Sequence, residues 1–540
     1  MQTNIELRDN KGFSWVRNDN ISVKGYIFDL KEHLYLGKDL TLYFANIKSY
    51  ADFEERVRYA NGSFSVIYKK GDICFAACDC IRTFPLYYTK AQDGWIISDD
   101  PYFLLESKDD TLINEIASIE FLATGYVTGN ETMVKGIWQV QAGAIIRIEE
   151  EVRNKFYFTY RTIVTGADEY TEYRAEAIEV FNKAFKRFIA SLDGRTVVVP
   201  LSGGFDSRLI AAMLKKYEYD KVICFTYGRK GNPEIEISRK VAERLGFKWI
   251  YAEYTNNLIM GYLQNNVFRD YYKYAGKLGS MFFMQEYFAV KYLKENRLIP
   301  ADSIFAPGHS GDFLGGSQIF KHGNLNLFED IKEITRRIYR VKYIYKRPSL
   351  KDRERILQRI EKSIEEKFTG NTDFSYSIHE DWDFKEKLTK FNFNSLHTYT
   401  YFDYEFRFPY WDMEIINFFK VLPLHAKINK FLYDDILCEE FFKPYDLNFE
   451  NELQPTEKQL KYQMFKDRVK YRLPDYFNRY LMTRSDNLFY GEITGPMVDD
   501  LASRGQKVKI HGNFYNSLII QWYLEDTKRR LDRNSIQTSE

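Results

Sequence analysis

The sequence has 540 residues, of which 45% are apolar, and is too long for a single hydrophobic core. Its formal net charge of +1 gives no field that would favour nucleic acid or an anionic membrane as a partner. No run approaches the roughly 18 apolar residues of a membrane span. We therefore predict two domains, a cytoplasmic location and a small-molecule or peptide substrate.

The chain up to about residue 160 alternates short apolar runs with Gly, Asn and Asp, a pattern typical of β-strands. The runs are GYIFDL, LTLYFA, GSFSVIYKK, DICFAACDC, PLYYTK and GWIISDD. The polar stretch 161–170 is the predicted boundary between domains at 1–160 and 170–540. Beyond it, helix and strand patterns alternate as in a parallel α/β fold, and the charged segment 325–370 predicts a helical excursion with solvated faces.

Five cysteines fit neither a disulfide framework nor a zinc pattern, since their only cluster is CxxxCxC without further ligands nearby. We predict buried, reduced thiols on strands. The residues are Cys74, Cys78, Cys80, Cys224 and Cys438.

Residues 195–214 join a buried-strand pattern to a helical one through a glycine turn. Glycines let the backbone approach phosphate oxygens, and the first turn of a helix offers unpaired N–H groups and the positive end of its dipole. The Gly-Lys-Ser/Thr ending of ordinary phosphate loops is missing, and SGGxDS resembles instead the loop of the ATP pyrophosphatases. The predicted ATP and pyrophosphate site consists of Pro200, Leu201, Ser202, Gly203, Gly204, Asp206 and Ser207.

A second strand and helix follow, with the strand pattern VICFTYG and a helical pattern that begins at Pro233 and ends at Gly246. Two consecutive units of this kind predict a parallel, doubly wound sheet. Ligands of such sheets lie at the carboxyl ends of the strands. We therefore add Tyr227 to the predicted ATP site.

These residues and three later blocks together resemble the asparagine synthetase family. The segment 307–316 is similar to the family's SGEGxDExxGG loop with one residue deleted, and 405–412 is similar to its ExRxPxLD block. Lys430-Phe-Leu-Tyr resembles its late lysine segment, with Asp434 in place of an arginine. The resemblance adds Pro307 and Gly308 to the ATP site.

The same resemblance implies roles for three charged residues. Asp312 would bind Mg²⁺ together with Asp206, since hard oxygen ligands suit that ion. Lys430 would stabilise negative charge that develops in the transition state. ATP and Mg²⁺ are the implied cosubstrate and metal.

The N-terminal part resembles a class II glutamine amidotransferase domain in a degenerate form. The matching segments begin at Asn61, Asp79 and Glu131, and Arg82 replaces an expected glycine. That chemistry needs an N-terminal cysteine as nucleophile, with its α-amine as the base. Here Gln2 stands at that position and no cysteine precedes Cys74, so we expect no glutaminase nucleophile.

The resemblance implies an α/β protein: an N-terminal, sheet-rich, Ntn-hydrolase-like α+β sandwich, then a parallel α/β ATP-pyrophosphatase domain of the PP-loop, adenine nucleotide α-hydrolase-like type with added helices. The implied enzyme is an AMP-forming carboxylate–amine ligase of the asparagine synthase type without its own glutaminase. Its nitrogen would come from ammonia, from a separate amidotransferase or from an amine substrate.

Relatives that have lost this cysteine include β-lactam synthetases and lasso-peptide cyclases, and others of this architecture amidate sugar uronic acids. The identity of the substrate carboxylate stays open, and aspartate, the precursor of asparagine, is among the candidates. A non-catalytic ATP-binding or regulatory homologue is the alternative to an enzyme. Retention of the ATP-site motifs beside a decayed glutamine site argues against it.

His309 stands where asparagine synthetases carry a glutamate and β-lactam synthetases a tyrosine that activates the amine. Glu405 matches the carboxylate that partners that tyrosine. Because a neutral imidazole can take a proton from an amine and a carboxylate stabilises the resulting imidazolium, we predict a catalytic His309–Glu405 pair. A loop histidine that caps a helix or contacts a phosphate is the alternative.

Overall fold

The computed structural model describes residues 2–108, 111–162, 170–319, 329–365, 374–449, 486–508 and 514–537. Its strands, β1 to β16 in chain order, are Gln2–Glu6, Val16–Arg17, Ile21–Phe28, Leu34–Leu36, Asn61–Lys70, Ile73–Cys78, Tyr87–Ala91, Gly94–Ser98, Ile137–Gln139, Ala144–Ile148, Val152–Phe156, Val197–Pro200, Val222–Gly228, Lys248–Glu253, Ile304–Phe305 and Glu405–Phe406.

The α-helices are Leu40–Tyr43, Tyr50–Tyr59, Pro101–Glu106, Glu115–Thr124, Tyr170–Ala190, Phe205–Lys216, Pro233–Leu245, Asn256–Ile259, Asn266–Gly276, Tyr287–Glu295, Gly311–Leu314, Ile331–Lys342, Leu350–Glu365, Ser375–Asp383, His397–Tyr401, Met413–Val421, Leu424–Lys427, Phe431–Ile436, Tyr490–Ser503 and Phe514–Gln537. Short 3₁₀ segments are Gly37–Asp39, Tyr262–Gln264, Phe393–Leu396, Pro409–Trp411, Ile428–Lys430 and Lys443–Tyr445, and π-helical segments are Phe384–Asn392 and Leu437–Phe442.

Two sheets build the N-terminal part. One has the order β1-β8-β7-β9, and the other has the order β11-β10-β6-β5-β3-β2, with β4 paired to β3. Apolar side chains from both sheets share one core, among them Ile67, Leu86, Ile97 and Ile146. The two sheets therefore pack face to face, as alternating apolar strands require. The Ntn-hydrolase type of this sandwich stays a prediction.

One N-terminal run does not form the strand that its pattern suggested. Leu40–Tyr43, within LTLYFA, is a short helix. Its buried residues are Leu40 and Tyr43, which are three residues apart and so lie on one helical face, and Phe44 directly after the helix is buried as well. A short apolar run fits both structures, and tertiary packing selects the helix.

The third sheet is parallel throughout and has the order β14-β13-β12-β15-β16. β12 leads into helix Phe205–Lys216, and β13 into helix Pro233–Leu245, as predicted from the two sequence patterns. Every residue from Ser207 to Leu214 is buried, so the first helix lies inside the fold rather than on one surface of it. The mixed α/β fold with a parallel sheet is thus confirmed.

The charged segment after residue 325 contains two helices, Ile331–Lys342 and Leu350–Glu365. Each buries one row of isoleucines and leaves its other faces to solvent. Residues 320–328 and 366–373 of this predicted excursion lie outside the described structure, as does most of the predicted boundary at 163–169.

Charged residues join the N-terminal and C-terminal parts of the chain. Asp9 contacts Lys24 at 3.3 Å and Lys277 at 3.6 Å, and all three side chains are at most 12% exposed. The side-chain amide of Asn61 donates to Asp412 over 3.0 Å. The N-terminal part is therefore anchored to the C-terminal part by buried polar contacts.

The five cysteines are free thiols. Cys74, Cys78, Cys80 and Cys224 are buried as predicted, whereas Cys438 is half-buried and lies in the π-helical segment Leu437–Phe442. The strand prediction is therefore wrong for Cys438, and Cys80 lies just beyond β6. Among the helices that the structure describes, none combines the length and apolar character needed to cross a membrane.

Candidate active site

A cleft of about 1220 Å³ opens at the carboxyl ends of β12 and β13. Most of the predicted site residues line it, namely Pro200, Leu201, Ser202, Gly204, Asp206, Ser207, Tyr227, Gly308, His309, Asp312 and Lys430. Gly203 and Pro307 adjoin lining residues in the chain, and Glu405 lies elsewhere. The parallel sheet therefore brings together residues more than 200 positions apart.

The glycine turn is held by its two serines. Ser207 Oγ accepts from the main-chain N–H of Ser202 over 3.1 Å, and the two hydroxyl oxygens lie 3.2 Å apart. Ser202 Oγ accepts from the N–H of Gly204, also over 3.1 Å. Gly204 then begins helix Phe205–Lys216 without any side-chain cap. The first turn of this helix thus faces the cleft, as an anion-binding turn requires.

The loop that contains Gly308 lies directly against this first turn. A Cβ atom on Gly308 would stand 2.5 Å from the main-chain nitrogen of Ser207 and 2.7 Å from the carbonyl carbon of Asp206. Both contacts are with backbone, which cannot move aside cheaply. Glycine is therefore required at this position, and the contact joins the two predicted halves of the ATP site.

Asp206 and Asp312 meet at the bottom of the cleft. The main-chain N–H of Asp312 donates to Asp206 Oδ2 over 3.1 Å, and Tyr433 donates its hydroxyl to Oδ1 over 2.7 Å. Burial, followed by the negative charge of Asp312, raises the pKa of Asp206 to about 7. Two carboxylates held this close without a bound cation repel each other.

Lys430 reaches the cleft from an unusual backbone conformation. Asn429 and Lys430 both have positive φ, 56° and 60°. Such a conformation is costly for residues with a side chain and is found where the surrounding structure imposes it, often at functional sites. The ammonium of Lys430 pairs with Asp434 at 3.0 Å, so the replacement of the family's arginine by Asp434 supplies a partner for this lysine.

His309 has a carboxylate partner, but it is not the predicted one. Its Nε2 lies 3.3 Å from Glu286 Oε1, and its Nδ1 lies 3.1 Å from Ser395 Oγ. Glu286 also accepts hydrogen bonds from the hydroxyls of Tyr227 and Tyr399. The imidazole is therefore fixed at both nitrogens on the wall of the cleft.

Glu405 instead pairs with two arginines, and the predicted His309–Glu405 pair is wrong. Its carboxylate accepts from Arg195 over 2.6 and 3.1 Å and lies 2.9 Å from Arg407. Burial opposes ionisation, but the hydrogen bond from Arg195 and the charge of Arg407 lower the pKa of Glu405 overall. The reason is register: Glu405 pairs with Ile304, and Ile304 with Val197, at the amino end of β12. The cleft lies at the other end.

Arg82, the residue that replaces an expected glycine, has a φ of 56°. That is the left-handed region in which glycine is favoured, so a glycine at this position in relatives has a conformational reason. Its buried guanidinium donates to Gln139 over 2.6 Å and to the carbonyl of Val140 over 3.2 Å. The side chain therefore fills the interior of the N-terminal part.

The N-terminal cysteines are poorly suited to replace a missing nucleophile. Burial raises the thiol pKa of Cys74 to about 12 and that of Cys78 to about 11, and raises that of Cys80 as well. Since the thiolate is the reactive form, these side chains are inert at neutral pH.

Sequence reasoning missed several residues of the site, namely Glu286, Ser395, Tyr399, Tyr410 and Tyr433. Tyr410 donates to the carbonyl of Asp206 over 2.8 Å. Ser395 and Tyr399 lie outside the matched blocks, whereas Tyr410 and Tyr433 lie inside them at positions for which the resemblance implied no role. Glu286 immediately precedes a helix that carries no cap signal, so no sequence pattern could have identified it.

The fold and the cleft define a class of protein, namely a parallel α/β protein with a glycine-rich anion-binding turn at the carboxyl ends of its strands. The asparagine synthase family model matches residues 179–295, which include that turn and amount to less than a quarter of the chain. This segment is therefore similar to asparagine synthases, and the match supports an ATP-using, amide-forming ligase in general. It does not extend to the N-terminal part or to the later predicted blocks.

No curated protein sequence matches the chain. Among solved structures, an NH3-dependent NAD synthetase from Campylobacter jejuni is 15% identical, over 28% of this chain and 62% of that one, with a TM-score of 0.19. The chain thus spans less than two thirds of that relative, and a likeness with so low a TM-score supports no inference about mechanism.

Proposed function

We propose that this protein is an AMP-forming ligase that adenylates a substrate carboxylate, releases pyrophosphate and joins the acyl group to an amine. The observation that carries the proposal is the meeting of Asp206 and Asp312 beside the glycine turn, in a cleft that Lys430 also enters. An anion-binding turn, two carboxylates and a lysine in one cleft suit the transfer of a nucleotide phosphate group.

The two carboxylates fit Mg²⁺. Burial and then the negative charge of Asp312 raise the pKa of Asp206 to about 7, and a bound cation would favour the ionised carboxylate. Mg²⁺ commonly binds through one or two protein carboxylates together with substrate phosphates and water. The described residues hold no larger cluster of metal-binding side chains, which agrees with a metal shared with the nucleotide. The ion would neutralise charge on the departing pyrophosphate.

In the adenylation step, each part of the cleft has a separate role. The first turn of helix Phe205–Lys216, with Ser202 and Ser207, binds phosphate oxygens. Lys430 stabilises the negative charge that develops around the α-phosphorus. A carboxylate oxygen of the substrate bonds to that phosphorus, and the bond between phosphorus and the α,β-bridging oxygen breaks to release pyrophosphate.

Amide formation follows in the same cleft. The amine nitrogen bonds to the acyl carbon, the bond from that carbon to the AMP oxygen breaks, and AMP leaves with the electron pair. A primary ammonium group loses two protons overall. We assign His309 to accept one of them at Nδ1, the ring nitrogen that faces Ser395 and not the Glu286 carboxylate, and the other proton passes to solvent.

Pyrophosphate exchange tests the first half of the proposal. Full-length protein with ATP, Mg²⁺ and labelled pyrophosphate is assayed against aspartate, sugar uronates and peptide carboxylates. Exchange should depend on one class of carboxylate and fall at least about 100-fold in Asp206→Ala. The exposed Asp220→Ala is the matched control and should keep its activity. ATP binding without exchange for any carboxylate would favour the non-catalytic alternative.

Amide formation tests the second half. His309→Ala should leave exchange largely intact and slow amide formation by about 100-fold or more, the scale of a general base. If both activities fall together, His309 serves adenylation and not the amine.

A further inference from the structure

Glu286 is a buried carboxylate on the wall of the cleft, directly before helix Tyr287–Glu295. The residue is only 5% exposed, and its side chain makes no capping hydrogen bond to that helix. A buried carboxylate is costly unless hydrogen bonds or a positive charge compensate for its lost hydration. The partners of Glu286 therefore determine what this wall can bind.

Hydrogen bonds to Glu286 come from groups that carry no fixed charge. Tyr227 donates its hydroxyl to Oε1 over 3.4 Å, Tyr399 donates to Oε2, and His309 Nε2 lies 3.3 Å from Oε1. Burial, followed by the negative charge of Glu286, keeps the pKa of both tyrosines well above 10, so they remain neutral donors. Within the described residues, no lysine or arginine forms an ion pair with this carboxylate.

The described lining residues of the cleft offer little other positive charge to balance this carboxylate. Among the described lining residues, the one lysine is Lys430, and its ammonium group forms an ion pair with Asp434 at 3.0 Å. The lining carboxylates are far more numerous: Asp206, Glu234, Glu286, Asp312, Asp434, Asp435 and Glu439. Paired carboxylates at Asp206 and Asp312 suit a metal, which leaves Glu286 as a separate negative site on another wall.

We propose that Glu286 binds the ammonium group of a cationic amine substrate, an inference that rests on the proposed function. An ammonium group brings a full positive charge and several N–H donors, and a buried carboxylate in a poorly hydrated wall attracts it strongly. His309 contacts the same carboxylate and precedes Asp312 by three residues, so the ammonium site adjoins the loop that carries the metal carboxylate.

The inference specifies the class of nucleophile. The acceptor enters as ammonium or as a protonated primary or secondary amine, and not as a neutral alcohol or water. Glu286 provides recognition, and His309 beside it receives a proton. Loss of Glu286 should therefore weaken amine binding, whereas loss of His309 should slow the step that follows.

Binding of ¹³C-labelled methylammonium tests the site without knowledge of the natural substrates. Line broadening of its NMR signal is measured with full-length protein in the presence of Mg²⁺ and ATP. Wild-type protein should bind the probe in competition with ammonium, and Glu286→Gln should bind it at least about 10-fold more weakly. Glu295→Gln is the matched control, since it removes the same charge at the exposed end of the same helix. It should bind as wild type does.

Two further outcomes guard against a merely structural effect. Glu286→Asp keeps the charge and should recover binding to within about fivefold of wild type, whereas a packing role would leave both variants equally impaired. Equal probe binding by wild type and Glu286→Gln would overturn the inference. A lowered Mg²⁺ affinity in Glu286→Gln with unchanged methylammonium binding would overturn it too, because it would make Glu286 a metal ligand.

Pyrophosphate exchange separates this inference from the proposed function. Wild-type protein should show carboxylate-dependent exchange, and in Glu286→Gln the KM for the amine should rise about 10-fold or more while kcat changes less. Absence of exchange in wild type would refute the proposed function alone. Normal exchange with an unchanged amine KM in Glu286→Gln would refute the inference alone.

Discussion

The main-chain N–H of Asp312 donates a hydrogen bond to the carboxylate of Asp206 across 106 residues of sequence. This contact holds the loop after β15 against the helix that follows β12. The two carboxylates that we propose to bind Mg²⁺ thus come from segments that follow two neighbouring strands of a parallel sheet, at the carboxyl ends where such sheets bind ligands.

Gly308→Ala should disrupt the proposed ATP site without replacing any charged residue. The added methyl group would stand 2.5 Å from the nitrogen of Ser207, so the loop and the helix must separate. We expect Mg²⁺–ATP affinity, measured by calorimetry, to fall about 10-fold or more, with a stability loss of about 1–3 kcal/mol. Gly495→Ala, where nothing lies within 4 Å of the new atom, is the control. Normal ATP affinity in Gly308→Ala would contradict the close contact.

Lys430→Gln should abolish catalysis with little effect on folding. The partly buried pair with Asp434, whose side chains are 25% and 14% exposed, contributes about 1 kcal/mol of stability, whereas a lysine that stabilises transition-state charge is worth about 100-fold or more in rate. Lys443→Gln is the control, because it removes a lysine that also pairs with a carboxylate four residues away, Glu439 at 2.7 Å, but that is more exposed and does not line the cleft. Equal exchange rates in the two variants would show that Lys430 is only a surface residue.

Glu405→Gln should affect stability and not chemistry. The substitution weakens hydrogen bonds to Arg195 and leaves the buried Arg407 without its carboxylate, which should cost about 1–3 kcal/mol in urea unfolding. The rates of exchange and amide formation should stay within about threefold of wild type, because Glu405 lies at the amino-terminal ends of the strands and the cleft lies at their carboxyl ends. A large loss of amide formation with unchanged exchange would contradict this assignment and support the His309–Glu405 pair predicted from the sequence.

Asp9→Asn should weaken the junction between the N-terminal and C-terminal parts. Burial alone would raise the pKa of Asp9, but the charges of Lys24 and Lys277 lower it from 3.8 to about 2. The substitution leaves two buried ammonium groups without that carboxylate, at a cost of about 3 kcal/mol near neutral pH.

The pH dependence of this difference follows from the lowered pKa. A folded-state pKa below the unfolded value means that the stabilisation by Asp9 is complete above pH 3.8 and disappears as the pH falls through 2. Unfolding curves of wild type and variant should therefore converge in acid. A difference that does not change with pH would show that packing, and not charge, stabilises the junction.

Purified protein should neither hydrolyse glutamine nor react with a glutamine-analogue affinity label. Gln2 stands at the position of the expected nucleophile, and burial raises the thiol pKa of the nearest cysteines. Ammonia release is measured by a coupled assay in the presence of ATP and carboxylate. Stoichiometric labelling at any residue of 1–160 would contradict the prediction.

The strand, turn and helix that form the proposed ATP site could be predicted from the sequence because their signals are local. The β-branched run, the Gly-Gly turn and the apolar spacing of the following helix all lie within residues 195–214, and each acts on its nearest neighbours along the chain. Two consecutive strand–helix units then require a parallel sheet, and a parallel sheet binds ligands at one edge. The positions of Ser202, Asp206 and Tyr227 follow from that logic.

Other features were decided by tertiary structure alone. The run LTLYFA fits a strand or a helix, and only packing against the N-terminal core selects the helix. Glu405 and His309 both lie in blocks that resemble the family pattern. The register of β12, β15 and β16, however, places Glu405 at the amino-terminal ends of the strands, and the cleft lies at their carboxyl ends. A helix and a strand separate Glu286 from His309 along the chain, yet the two side chains are in contact. No sequence pattern specifies which carboxylate an imidazole will contact once separate segments pack together.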